Sequence, residues 1–189
     1  MKLLRKTLTY LLALVCACLI SSAIAQGQNR AGTQPCTPIS PLAYEDGVPT
    51  VQLEMLLKEP QCYDGKFIRT YGFYRYGFEI SELYCLDCKS SGLIWFDSES
   101  YFAAYKRCTS KENQKRLDSE NGRTVGVAVL GVVRTGGGFG HLNGSQHQFS
   151  VICIDEVKVF ANDYAIPQYL SAKTLREMRD WYKQASEKY

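Results

Sequence analysis

The chain has 189 residues, of which 46% are hydrophobic and 22% charged, with a formal net charge of +3. That balance excludes a disordered chain, a collagen-like fibre and a multi-pass membrane protein. The length suits one domain with a proper core, or a domain with an accessory helix.

The chain opens with a short basic stretch, Met1 to Lys6, followed by an apolar run from Leu8 to Ile20 and a small-x-small site, Ala23-Ile24-Ala25. This pattern reads as a cleavable secretory signal over residues 1–25. The apolar run is shorter than the ~20 residues of a membrane span, so no transmembrane span is expected in the mature chain. A retained anchor is the lesser alternative. Lipidation at Cys18 also ranks below simple cleavage, because Cys16 is an odd residue inside a lipidation site. Cleavage after Ala25 removes Lys2, Arg5 and Lys6 and no acid, leaving 19 basic against 19 acidic residues. A mature chain without basic excess disfavours nucleic acid as a partner.

Residues 26–48 form a polar, flexible lead-in. Thr50 is placed to cap a short helix over residues 51–58, which Pro60 ends. Asp64-Gly65 marks a turn. Residues 66–78, rich in aromatic and β-branched side chains, read as a long strand, and Gly72 near its middle marks a bulge or bend. Residues 79–85 and 93–96 are further strands, joined by a polar turn. Residues 98–121 form an irregular or partly helical connection ending at Asn121-Gly122. Residues 123–134 are the clearest buried strand, 136–144 a glycine-rich loop and 147–160 the last strand. Asp155-Glu156 reads as a solvated strand end.

Residues 171–189 alternate apolar and charged positions with helical spacing. Leu175, Met178, Tyr182 and Ala185, with Trp181 beside them, form the apolar face, and Thr174 with Glu177 a capping box. The fold class is therefore mainly β, a small five-stranded barrel flanked by a short N-terminal helix and a C-terminal amphipathic helix.

Residues 56–73 (LLKEPQCYDGKFIRTYGF) and 136–160 (GGGFGHLNGSQHQFSVICIDEVKVF) resemble a group of exported bacterial OB-fold-like proteins of uncharacterised function. Pro60, Tyr63, Asp64, Gly65, Lys66 and Gly72 carry the first match, and the glycine-rich turn before the last strand carries the second. The resemblance implies an OB-like domain over residues 49–162, with residues 163–189 as a helical extension. It implies no catalytic residue. OB-folds often bind oligonucleotides or oligosaccharides on one face, but a fold does not establish a function.

Six cysteines remain after cleavage: Cys36, Cys62, Cys85, Cys88, Cys108 and Cys153. An even count in an exported chain favours disulfides, with 15 conceivable pairings. Cys85 and Cys88 are alternatively a redox dithiol or two metal ligands. No helix start follows them and no second C-x-x-C exists, so both chemistries rank below a structural disulfide. His141 and His147 flank a loop that matches neither a phosphate-binding nor a dinucleotide-binding pattern.

The aromatic strand offers Tyr71, Tyr74 and Tyr76, with His141, as ligand-face residues. Alternation along the strand sends one aromatic set into the barrel. Asn143-Gly144-Ser145 is a formal glycosylation sequon, of little meaning if the source is bacterial, as the resemblance implies. No motif calls for a cofactor. The leading expectation is an exported, non-catalytic binding or assembly module of the cell envelope, its partner an unidentified protein or small ligand. The alternative is a thiol redox or metal-dependent protein using Cys85 and Cys88, and a third reading is an oligonucleotide- or oligosaccharide-binding OB-fold.

Overall fold

A computed structural model describes residue 36 and residues 47–77, 79–89, 92–120, 123–160 and 170–189. The expected signal sequence, most of the lead-in and the Asn121-Gly122 turn lie outside the described residues. The elements in chain order are α1 (Leu53–Lys58), β1 (Phe67–Gly77), β2 (Ile80–Tyr84), β3 (Ile94–Asp97), α2 (Phe102–Cys108), α3 (Lys111–Ser119), β4 (Thr124–Phe139), β5 (Ser145–Val159) and α4 (Ala172–Lys188). The five strands form a closed barrel in the order β1-β2-β3-β5-β4. Only the β3–β5 pairing is parallel. The fold is the expected mainly-β, OB-like barrel with a helix before it and an amphipathic helix after it.

Strand β1 is buried on both faces from Ile68 to Tyr74. Its even positions point into the barrel, where Ile68 and Tyr74 join Leu83, Ile94, Phe96, Val127, Phe149 and Val151. Its odd positions point outward, where Tyr71 and Phe73 join Tyr84, Ala128, Phe160, Met178, Trp181 and Ala185. Two cores thus share one strand. The inner core is plugged at one end by α1, whose Leu53 and Leu56 are fully buried. A Cβ at Gly72 would lie 2.5 Å from Leu53 Cδ2 and 3.2 Å from the Tyr84 carbonyl oxygen. The expected bulge is not there, for the β1–β4 register runs unbroken through Gly72 opposite Val127; the glycine instead serves close approach, letting the plug rest on bare backbone.

The outer core is closed by α4. Its buried residues are Thr174, Met178, Trp181 and Ala185, spaced four, three and four apart. Leu175 and Tyr182, expected at the centre of the apolar face, flank this stripe and are half-buried. The helix also starts differently from the expected Thr174/Glu177 capping box. Ser171 is the N-cap and accepts the Thr174 N–H at 3.1 Å. Trp181 lies flat on Gly126 of β4, where a Cβ would fall 2.8 Å from the indole ring. Glu156 then pins the helix, accepting from Trp181 Nε1 at 2.9 Å, Lys188 Nζ at 2.6 Å and the Tyr189 hydroxyl at 3.3 Å.

The open ladder edges are covered. Pro49 and Val51 exchange backbone hydrogen bonds with Arg69, both at 2.9 Å, so Thr50 bridges to β1 rather than capping α1. The N-cap of α1 is Gln52, without a side-chain cap. On β5, the residues beyond the β3 pairing are met by the α2–α3 segment, which is more helical than the sequence led us to expect. Thr109 Oγ1 accepts from the Ile154 N–H at 3.0 Å, Asn113 donates to the Ile154 and Asp155 carbonyls, and Arg116 donates to that of Val157. A disulfide between Cys108 and Cys153 fixes α2 to the same strand, with Cα atoms 5.6 Å apart.

Register shifts in the β4–β5 ladder leave Asp155 opposite no partner, and its carboxylate accepts from Arg69 Nε at 2.7 Å. The Asp155-Glu156 pair is therefore a structural clasp on two elements rather than a solvated end. The Tyr63-Asp64-Gly65 turn ties the barrel from the other side. Tyr63 is buried, Gly65 adopts φ +70°, and Asp64 accepts the Thr135 N–H at 2.8 Å. The glycine-rich segment is largely strand: β4 runs to Phe139, and only Gly140 to Gly144 form the turn.

Two outcomes are expected. Gly72→Val should destabilise by about 1–3 kcal/mol, the usual penalty of overpacking a filled core, well beyond the exposed control Lys115→Ala. Denaturant melts measure this, and equal midpoints would show that Leu53 moves aside without penalty. The second concerns acid. Burial alone would raise the Glu156 pKa, but its hydrogen bonds from Lys188 and Trp181 outweigh that and hold it below the ordinary value of 4.5. A depressed carboxylate stabilises the fold fully above its unfolded pKa and loses that contribution as pH falls through the folded value. Helix docking, followed by tryptophan fluorescence, should therefore weaken below about pH 4.5, and Glu156→Gln should flatten that acid limb.

Candidate functional site

The outward face of the barrel is only half covered by α4. The other half, over β2 and β3, is a cleft of about 790 Å³. Its floor is built from outward positions: Glu82 and Tyr84 on β2, and Trp95 on β3, which pairs with Glu82. The neighbours of Trp95, Ile94 and Phe96, face the barrel interior and are buried. One wall is the β4–β5 hairpin, with Phe139, His141, Ser145, Gln146 and His147. The rim is closed by Glu79 in the β1–β2 turn and by Leu57, Leu93 and the Cys85–Cys88 loop.

The hairpin is held over β3 by a close contact. Gly140 has φ +73°, and a Cβ there would run into the Trp95 indole ring. His141 Nε2 reaches across to Glu79 Oε1 at 3.3 Å. The tip itself is strained: Leu142 and Asn143 have φ +54° and +59°, and Glu79 opposite has φ +60°. Left-handed backbone at non-glycine residues is costly and collects at binding and switch regions. Leu142 stands 86% exposed at the apex.

Electrostatically, Glu82 is balanced by Arg75, whose Nη2 donates to it at 2.5 Å. Burial lowers the His147 pKa, so its ring stays neutral at pH 7. The Nδ1 atom of His147 is shielded from solvent and has no hydrogen-bond partner. Ser145 braces the same residue, its hydroxyl donating to the His147 carbonyl at 2.7 Å. Burial raises the Tyr84 pKa, against smaller opposing effects of its Thr124 hydrogen bond and Arg75, so the phenol stays protonated. Among the described residues, no Lys or Arg lines this cleft.

Cys85 and Cys88 form a disulfide with Cα atoms 5.5 Å apart. In that state neither is a metal ligand, and among the described residues no three His, Cys, Asp or Glu converge as a metal site. The loop between them is clasped by α4, with Arg179 donating to both oxygens of Asp87 at 2.8 and 3.0 Å. That bond, more than the opposing partial burial, holds the Asp87 pKa below the ordinary carboxylate value. On the far side of this loop lies a second depression of about 350 Å³, bordered by Tyr71, Phe73, Leu86 and Tyr182. Cys36 and Cys62 are also disulfide-bonded.

The four ligand-face candidates separate. Tyr71, 1% exposed, packs on Tyr182 in the outer core, with ring centroids 5.0 Å apart. Tyr74, 4% exposed, packs on Phe96 inside the barrel at 4.1 Å and bonds to Ser81. Tyr76 is 48% exposed at the end of β1, and His141 stands on the cleft wall. Trp95, Glu79, Glu82 and Phe139 were missed by the sequence reading. Only the alternation Ile94-Trp95-Phe96, with one large side chain forced outward, signals any of them. Comparison with known protein families, with curated proteins and with solved structures returns no match to this chain.

Peptide mapping of the oxidised protein is expected to recover Cys85–Cys88 and Cys108–Cys153 as linked pairs. Recovery of Cys85 or Cys88 joined to Cys108 or Cys153 would contradict the arrangement described.

Proposed function

We propose that this chain is an exported, non-catalytic binding module of the cell envelope, and that its ligand occupies the cleft over β2 and β3. The observation that carries the reading is the cleft itself. It combines aromatic walls with a few convergent polar groups, in the volume range of roughly 300–1,000 Å³ common to ligand sites. It lies on the face that OB-like barrels use, between the β1–β2 turn and the β4–β5 hairpin. Strained backbone on both lips adds to it, since such strain collects at binding sites. Export is supported by the basic and apolar N-terminus and by disulfides, which persist in oxidising compartments. The resemblance to exported bacterial OB-fold-like proteins points the same way.

A second reading is favoured by one observation: Cys85 and Cys88 border both depressions. A thiol-bearing partner seated there could attack one sulfur and release the other as a thiolate.

Amide chemical-shift mapping separates the two. The labelled chain is titrated with a panel of sugars, amino acids, polyamines and nucleotides. Shifts clustered at Glu79, Trp95, Phe139 and His147, and retained in Cys85→Ser/Cys88→Ser, are the expected result. Shifts that cluster elsewhere, or a cleft that no compound perturbs, would overturn the binding reading. Binding lost in the double serine variant, with the fold intact, would favour the thiol reading.

A further inference from the structure

This inference rests on the cleft being a ligand site and names the class of its ligand. We propose that the cleft over β2 and β3 binds an uncharged saccharide, with a pyranose ring against Trp95.

The charges decide against the other classes. A nucleic acid or another polyanion needs cations, and among the described residues no Lys or Arg lines the cleft. A polycation needs unbalanced carboxylates on the floor. Glu82, the carboxylate there, is already balanced by Arg75. Glu79 sits on the rim, 46% exposed and beside His141, where water screens it. His147 is neutral because burial lowers its pKa. The floor therefore carries no net charge for an ionic ligand to answer.

What the cleft does offer suits a sugar. Trp95 and Phe139 are half-buried aromatic surfaces, and Leu93 is an exposed apolar neighbour. A pyranose ring has apolar C–H faces that pack on such rings and hydroxyls around its edge. Those hydroxyls both donate and accept. The polar groups around Trp95 do the same: the Glu82 carboxylate accepts and the Gln146 amide both donates and accepts. The volume of about 790 Å³ holds more than one ring, so an oligosaccharide fits better than a single hexose. Gly140 locks one face of Trp95, which prepares the indole and lowers the ordering penalty on binding.

Titration calorimetry of the full mature chain tests this with neutral chitotetraose, cellotetraose and maltotetraose, and with polygalacturonate, oligothymidylate and spermidine as charged probes. Amide shifts locate any bound probe. Binding of at least one neutral sugar at the cleft is expected. Trp95→Ala should weaken it by at least about tenfold, the scale of a buried aromatic anchor, and Trp95→Phe should restore most of it. If Trp95→Ala disturbs the hairpin, Gln146→Ala provides the same test by removing an exposed amide that both donates and accepts. Sugar binding that both variants leave unchanged would overturn the proposal. Binding at the cleft by only the charged probes would overturn the saccharide class while leaving the ligand site standing. A cleft that none of the probes perturbs would overturn both.

Discussion

The structure depends on one constraint: β1 is buried on both faces along most of its length. Inward residues such as Ile68 and Tyr74 fill the barrel, and outward residues such as Tyr71 and Phe73 need a second cover. Two layers must therefore meet the same strand from opposite sides. On the inside α1 supplies Leu53 and Leu56, and on the outside α4 supplies Met178, Trp181 and Ala185. Glycine appears where each layer presses closest. Gly72 admits Leu53 from within, and Gly126 of the adjacent β4 admits Trp181 from without. The C-terminal helix is thus part of the fold. Without it the outer aromatic set would face water, an exposed apolar patch of the kind that promotes association.

The same geometry positions the cleft. The outer face of the barrel is continuous from β4 across β1 to β2 and β3, but α4 spans only part of it. Where the helix stops, the Cys85–Cys88 loop and the Asp87–Arg179 pair form a boundary, and beyond it the outward side chains of β2 and β3 lie open. An exposed ion pair of this kind adds little stability. Its two parallel hydrogen bonds do fix the loop against the helix. The opposite wall exists because β4 and β5 extend past the barrel as a long hairpin, folded back over Trp95 at Gly140.

The five strands and the amphipathic helix were legible in the sequence because each follows from a local rule. Alternation and helical spacing are properties of short stretches. The errors also have local causes. Threonine caps helices well, so position 50 suggests a cap, but a backbone bridge to Arg69 takes that segment. Residues 136–138 were read as loop because glycine disfavours strands, but pairing along the hairpin holds β4 extended through them. The cap of α4 fell on Ser171, three residues before Thr174. Both residues have the right chemistry, and helix length settled the choice.

By itself the sequence determined the five strands, the first and last helices and the supply of cysteines. It could not determine which tyrosine stays exposed. Tyr71, Tyr74 and Tyr76 have the same intrinsic chemistry. Their fates differ because α4 covers the first, Phe96 meets the second inside the barrel, and the third stands at the end of β1 with only one ring face stacked, on Tyr74. The cysteine pairs were likewise open, since loop closure allows many matches and only strand β5 beside α2 brings Cys153 to Cys108. The cleft belongs wholly to the tertiary structure. Glu79, Trp95 and the hairpin pair Phe139 and His147 come from three separate stretches of chain, and barrel closure with hairpin folding is what brings them to one surface.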